Sequence, residues 1–197
     1  YLLEILQSLL KGDYLPQAYR EVSIPKTNGK KRVLKIPTIR DRIVQGALKL
    51  ILEPIFEADF QDGNYGYRPG RKAHDAIAVV DKALYGGKLE VIDLDLTAFF
   101  DNIRHDIVLG KVAERVQDEE VLHLIKLICK TAGKRGVPQG GVLSPLLANI
   151  YLNEVDKMLE KAKAATGEVA YARYADDLVG LVTPGEWLEK VNRRLLE

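Results

Sequence analysis

Asp176 and Asp177 stand side by side where two apolar runs meet, Val169-Ala170-Tyr171-Ala172-Arg173 before them and Leu178-Val179-Gly180-Leu181-Val182 after. Val, Leu, Ala and Tyr suit a pleated, half-buried surface, so the acidic pair marks the point where a hairpin would turn. Adjacent carboxylates repel, and a fold that holds them rigidly calls for a cation and a third acidic group. A divalent ion held in that way is the core of phosphoryl-transfer chemistry. Taken alone, the pair also fits an ordinary Asp-containing turn. A second acidic pair alters that balance. Val91-Ile92-Asp93-Leu94-Asp95-Leu96 is an apolar strand interrupted by two carboxylates two residues apart, which share one face. A buried charge is costly unless paired or metal-bound, so one or both of Asp93 and Asp95 are candidate ligands. Beside Asp176-Asp177 they would complete an oxygen-rich Mg²⁺ site, and two ions roughly 3.5–4 Å apart would clamp the attacking and leaving oxygens of an in-line displacement.

Two other segments have residue types suited to phosphates and nucleotides. Arg20 to Arg42 contains eight basic residues against Glu21 and Asp41, in a chain whose net charge is only +1. This is a local basic stripe rather than a basic coat, suited to phosphates or simply to water. Gln139 sits in a Pro138-Gln139-Gly140-Gly141 loop, which Pro stiffens and Gly opens to close backbone approach. Elsewhere the polar candidates are ordinary. The single Cys129 excludes an internal disulfide, fits a reducing compartment and reads as a core thiol. His74, His105 and His123 are scattered, form no zinc pattern with it and read as helix or cap residues.

The elements that must position these groups follow from periodicity and punctuation. The 197 residues, 47% apolar and 29% charged, suit one domain or two interlocked lobes, and no apolar run approaches a membrane span. Val22 to Ile24 and Arg32 to Ile36 read as strands around the hairpin signal Thr27-Asn28-Gly29. Asp41 to Phe60 has apolar residues at helical spacing, with Pro54 a kink or boundary. Gly63 to Gly70 is a loop, Lys72 to Leu84 a helix, and Leu89 to Leu96 a buried strand. Ile107 to Thr131 is mostly helical, and Leu143 to Ala164 is a long helix opening on Ser144-Pro145. A final hairpin and a short helix near Pro184 and Trp187 close the chain. Helices interspersed with antiparallel strands predict a mixed sheet covered by helices. Both ends fall inside helix-like runs, so a fragment is expected.

In these residues the chain resembles the reverse transcriptases of bacterial group II introns and related bacterial retroelements. The matching blocks run in order: Ile24-Pro25-Lys26 with Gly29 and Arg32; Ile36 to Gln45; Leu52 to Glu57; Tyr65-Gly66-Tyr67-Arg68-Pro69; Asp95 to Ile103; Gly136 to Asn149; and Tyr174-Ala175-Asp176-Asp177. A four-residue string recurs by chance; seven blocks in order do not. Thr97 departs from the pattern, since many group II enzymes carry Lys there.

The resemblance implies an α+β fold, the fingers and palm of a right-hand polymerase. Residues 1–70 and 103–143 would be fingers. Residues 71–102 and 144–197 would be palm, an antiparallel sheet backed by helices with the acidic site on its open face. The thumb and C-terminal domains would be absent. Catalysis would rest on Asp95, Asp176 and Asp177, because the family places an aromatic five residues after its strand Asp and only Asp95 meets that with Phe100. Two Mg²⁺ ions, replaceable by Mn²⁺, would be held by Asp95, Asp176 and the backbone carbonyl of Leu96. Lys26 and Arg32 would grip the triphosphate, and Ala98, Phe99, Phe100 and Gln139 would contact the nucleotide. A ring at Phe100 under the incoming sugar leaves no room for a 2′-hydroxyl, which favours DNA synthesis. Arg68 and Arg71 would touch template or primer, or anchor their own loop. The implied activity is primer extension with dNTPs in the bacterial cytoplasm, on an RNA or DNA template with a DNA or RNA primer. The encoding intron RNA would be a further partner. A splicing maturase that binds intron RNA is the alternative, and an RNA-dependent RNA polymerase, disfavoured by Phe100, a distant third.

Overall fold

The computed structural model describes residues 1–25, 31–185 and 187–196. The chain forms two compact units, each built from two segments: Tyr1–Ala58 with Ala98–Tyr151, and Asp59–Thr97 with Leu152–Glu197.

The first unit opens with α1 (Leu2–Leu10), followed by the antiparallel hairpin β1 (Arg20–Pro25) and β2 (Lys31–Ile36), in which Arg20 pairs with Ile36 and Pro25 with Lys31. The Asn-Gly turn expected between these strands lies outside the described residues. Helix α2 (Ile39–Glu57) starts at Thr38, whose hydroxyl accepts from the Asp41 amide at 3.2 Å and donates to its carboxylate at 2.7 Å. The first of these bonds satisfies a backbone donor the helix start would otherwise orphan. Val44, Leu48, Leu52 and Phe56 recur every four residues and are buried, the apolar stripe the spacing predicts. Pro54 does not end the helix at its own position, since α2 runs on to Glu57. It falls in the last turn, and Leu50, four residues earlier, is on the water side.

The rest of this unit comes from later in the chain. A single turn, α4 (Phe99–Asn102), follows Ala98. The expected helical stretch from 107 to 131 is two helices, α5 (His105–Ala113) and α6 (Glu119–Lys130). They are separated because Asp118 caps the second, accepting from the Val121 amide at 3.0 Å. Ile103, Val108, Val112, Ile125, Ile128 and Cys129 are fully or almost fully buried. Burial pushes the Cys129 thiol up to about 12, so it is a core group rather than a nucleophile.

The second unit is a three-stranded antiparallel sheet with β5 (Asp177–Val182) between β3 (Glu90–Asp95) and β4 (Val169–Tyr174). Strand alternation divides its residues. Ile92, Leu178, Val182, Tyr171 and Val169 point to one face, where they pack with Leu159 and Val191. Leu159 belongs to α7 (Ser144–Thr166) and Val191 to α8 (Trp187–Leu196). Val155, Met158, Leu159 and Ala162 sit at helical spacing along α7, and Trp187, Leu188, Val191 and Leu195 do so along α8. Helix α3 (Ala73–Tyr85) lies against β4 and β5. Among the described residues no helix is long and apolar enough to cross a membrane.

Candidate active site

Register gathers the acidic residues at one end of the β3–β5–β4 sheet. Asp95, the last residue of β3, lies directly opposite Asp177, the first of β5, and both are exposed. Directly opposed residues share a face, and Asp93, two residues before Asp95, shares it too. Leu178, next to Asp177, points the other way into the core. The alternation that buries Leu178 therefore holds Asp177, itself exposed, on the opposite face. Asp176 sits in the two-residue connection between β4 and β5, since Tyr174 pairs with Asp177.

The crowding is visible electrostatically. The Asp177 carboxyl is raised above the usual carboxylate range, first by its partial burial and then by the negative charges of Asp176, Asp95 and Asp93. Both influences disfavour the ionised acid, and a cation among these groups would oppose them. Among the described residues no three His, Cys, Asp or Glu side chains are drawn together into a ready-made ion cage. What the sheet end offers is a row of neighbouring hard oxygen donors. Such donors suit Mg²⁺ or Mn²⁺ rather than a soft metal, and carboxylates close on an ion by turning about their own χ angles. Leu96 follows Asp95 beyond the end of β3, in an exposed, non-helical position.

The turn that carries Asp176 is unusual. Ala175 has φ 62° and is buried, whereas Asp176 is not among the positive-φ residues. A positive φ at the first central position is the II′ pattern, which ordinarily selects Gly. Two contacts hold Ala175 in this conformation. The Arg173 guanidinium donates from Nη1 to the Ala175 carbonyl at 2.7 Å. Gly66 presses its backbone on the turn so closely that an added Cβ would lie 2.1 Å from the Ala175 nitrogen.

Arg68 and Arg71 serve that neighbouring loop. Arg68 is buried and donates to the Gln61 and Asn64 carbonyls at 2.7 and 2.9 Å, with its guanidinium 5.5 Å from the centre of the Phe60 ring. Arg71 pairs with the Asp62 carboxylate at 2.9 Å and donates to its carbonyl at 2.6 Å. Of their two expected uses, the geometry displays the anchoring one.

The first unit carries the other candidates. Ala98 is left-handed, with φ 50° and ψ 41°, and turns the chain into α4. Phe99 and Phe100 are both buried, in a T-shaped pair with ring centres 5.6 Å apart, and Phe99 also lies 6.0 Å from the Tyr151 ring. The glycine-rich loop is stitched to this turn. Val137 donates its amide to the Phe100 carbonyl at 2.7 Å, and Gly136 donates its own to Ile103 at 2.8 Å. Gln139 reaches Asp101 only at 3.5 Å, while its carbonyl accepts from the Lys35 amide at 2.7 Å. Lys26 lies outside the described residues. Arg32 is in β2, and its side chain is likewise outside them.

Two residues that sequence reasoning passed over support this loop. Buried Gln45 accepts from the Val142 and Leu143 amides at 2.8 and 3.3 Å and donates to the Tyr19 hydroxyl at 2.6 Å. Ser144 donates to the Pro138 carbonyl at 2.8 Å. Asp41 and Gln45, polar residues four apart beside an apolar stripe, were the legible signal for Gln45.

Residues 24–195 match the family model described as reverse transcriptase (RNA-dependent DNA polymerase). The chain belongs to the reverse transcriptase family. It is 40% identical to the protein YkfC of Escherichia coli strain K12, over 91% of this chain and 58% of that protein. It is also 40% identical to the group II intron-encoded protein LtrA of Lactococcus lactis subsp. cremoris, over 81% of this chain and 28% of LtrA. The chain therefore spans between about a quarter and three-fifths of these relatives. In fold it resembles telomerase from Candida tropicalis solved with a fragment of telomeric RNA, at TM-score 0.68 and 14% identity, over 100% of this chain and 42% of that one. It also resembles a chain of a partial Cas6-RT-Cas1–Cas2 complex, at TM-score 0.55 and 23% identity, over 98% and 36%. The α+β fold expected from the resemblance is the one observed. Reverse transcriptases as a family work with divalent metal ions.

Proposed function

We propose that this chain is the fingers and palm of an RNA-directed DNA polymerase that extends a primer 3′-hydroxyl with dNTPs. The template is RNA or DNA and the primer DNA or RNA. The observation that carries this reading is the register placing Asp95 opposite Asp177, with Asp176 in the adjoining turn. Residues 71–102 and 144–197 are the palm, and residues 1–70 and 103–143 the fingers. Asp95, Asp176 and the Leu96 carbonyl hold two Mg²⁺ ions, which Mn²⁺ can replace, and Asp177 is their acidic partner. When bound, the ions lower the pKa of the primer hydroxyl and neutralise charge on the leaving pyrophosphate. Lys26 and Arg32 bind the triphosphate, and Ala98, Phe99, Phe100 and Gln139 contact the nucleotide. Intron RNA is a further partner, by analogy with the group II intron-encoded relative, and the bacterial cytoplasm is the site of action.

Asp95→Asn or Asp176→Asn in the intact protein is expected to lower primer extension at least about 100-fold while the circular dichroism spectrum is unchanged. Extension at the wild-type rate by either variant refutes the assignment. Phe100 is assigned the discrimination between sugars. Phe100→Val is expected to raise ribonucleotide relative to deoxynucleotide incorporation about tenfold or more in single-nucleotide extension. An unchanged ratio removes Phe100 from that role.

A further inference from the structure

Arg173 is among the largest fully buried side chains, 1% exposed, and its partner Asp156 on α7 is 0% exposed. The pair is a planar fork: Nε to Oδ1 at 2.8 Å and Nη2 to Oδ2 at 2.6 Å. The remaining terminal nitrogen, Nη1, donates to the Ala175 carbonyl. The Arg173 backbone is fixed as well. Its amide donates to the Gly63 carbonyl and its carbonyl accepts from the Tyr65 amide, both at 2.8 Å. Asp156 is fixed on its own side, since its carbonyl accepts from the Tyr171 hydroxyl at 3.2 Å.

A buried ion pair is a poor source of net stability. Removing two charges from water costs several kcal/mol per ion, and apolar residues of similar volume often hold a fold as well or better. What an apolar pair cannot supply is the third hydrogen bond. That bond grips the peptide joining Ala175 to Asp176, in a turn whose φ of 62° is unfavourable for alanine. Fixing this peptide plane fixes the origin of the Asp176 side chain, and with it the start of β5 at Asp177. Asp156 neutralises the guanidinium, so Arg173 acts on the turn by geometry rather than by adding charge.

We propose that Arg173, oriented by Asp156, is a positioning residue for nucleotide transfer: it clamps the Ala175 carbonyl so that Asp176 is presented in register with Asp95 and Asp177. The proposal rests on the polymerase reading of Asp176. It places a determinant of active-site geometry in the core, in a pair joining β4 to α7.

The test compares four forms of the intact protein: wild type, Asp176→Asn, Arg173→Lys, and the double apolar variant Arg173→Met with Asp156→Leu. Steady-state primer extension is measured on an RNA template at varied dNTP and varied Mg²⁺, beside thermal unfolding. The double variant is expected to melt within a few degrees of wild type. Its kcat falls about 10- to 100-fold, the loss associated with ångström-scale misplacement, while KM for dNTP stays within about threefold. It also needs more Mg²⁺ for half-maximal rate. Arg173→Lys keeps the charge but lacks the fork and should show the same split in kcat against KM, which keeps the test decisive if the double variant does not fold. A folded variant extending at the wild-type rate, or a loss that disappears on correction for the folded fraction, overturns the positioning role while wild type remains active and Asp176→Asn inactive. Extension by Asp176→Asn at the wild-type rate overturns the polymerase reading, and the positioning role with it.

Discussion

The Asp177 carboxyl is raised by burial and by three neighbouring acids, and the ionised cluster is a local cost to the folded chain. A divalent ion bound among these groups stabilises the native state in proportion to its occupancy. At ten times its Kd the gain is about 1.4 kcal/mol, since the unfolded chain lacks the site. Wild-type protein is therefore expected to melt a few degrees higher with Mg²⁺ or Mn²⁺ than with EDTA, and Asp176→Asn to gain less. Equal gains would separate ion binding from Asp176. Asp93, Asp95, Asp176 and Asp177 were legible as a set in the sequence because they interrupt apolar strands, although the burial that argument assumed is not found, since Asp93, Asp95 and Asp177 are exposed. Strand alternation alone left Asp93 and Asp95 equivalent, as both lie on the same strand face, and the choice of Asp95 came from the resemblance, through the spacing to Phe100. In the sheet Asp95 is opposite Asp177 and Asp93 opposite Val179.

Among the elements, α2 does more than bury an apolar stripe. Gln45 reaches across from it to the backbone immediately before α7, where Val142 and Leu143 have amides to satisfy. Gln45→Leu strands those donors and is expected to cost about 1–3 kcal/mol. Denaturant unfolding measures the loss, and amide exchange at Val142 and Leu143 should quicken. An unchanged midpoint would mean water replaces the side chain. The strands were easier to anticipate than such supports. Apolar runs and turn residues gave the hairpin that turns at Asp176-Asp177 and the strand ending near Asp95, whose observed bounds differ by a residue or so. The break between α5 and α6 was also written in the sequence, in Asp118 followed by Glu119 and Glu120, an N-cap with an acidic first turn. The Arg173–Asp156 pair was not. Its members sit on different elements, and Arg173 stood within an apolar run with no local pattern to show that its charge would be buried and matched.

Over the whole molecule, each compact unit draws on two stretches of chain with the other unit's residues between them. Sequence order thus conceals which residues belong together: the turn at Phe99–Asn102 follows β3 directly, yet it is part of the unit that contains α2. The interleaving has a consequence during synthesis. β3, with Asp95 at its tip, leaves the ribosome long before β5, the strand it pairs with, has been translated. Until then its backbone amides and carbonyls lack their sheet neighbour and Ile92 has no core to enter. An open edge of that kind can recruit the same segment of another nascent copy. A slow or stalled ribosome before codon 177 should therefore favour clumping over function.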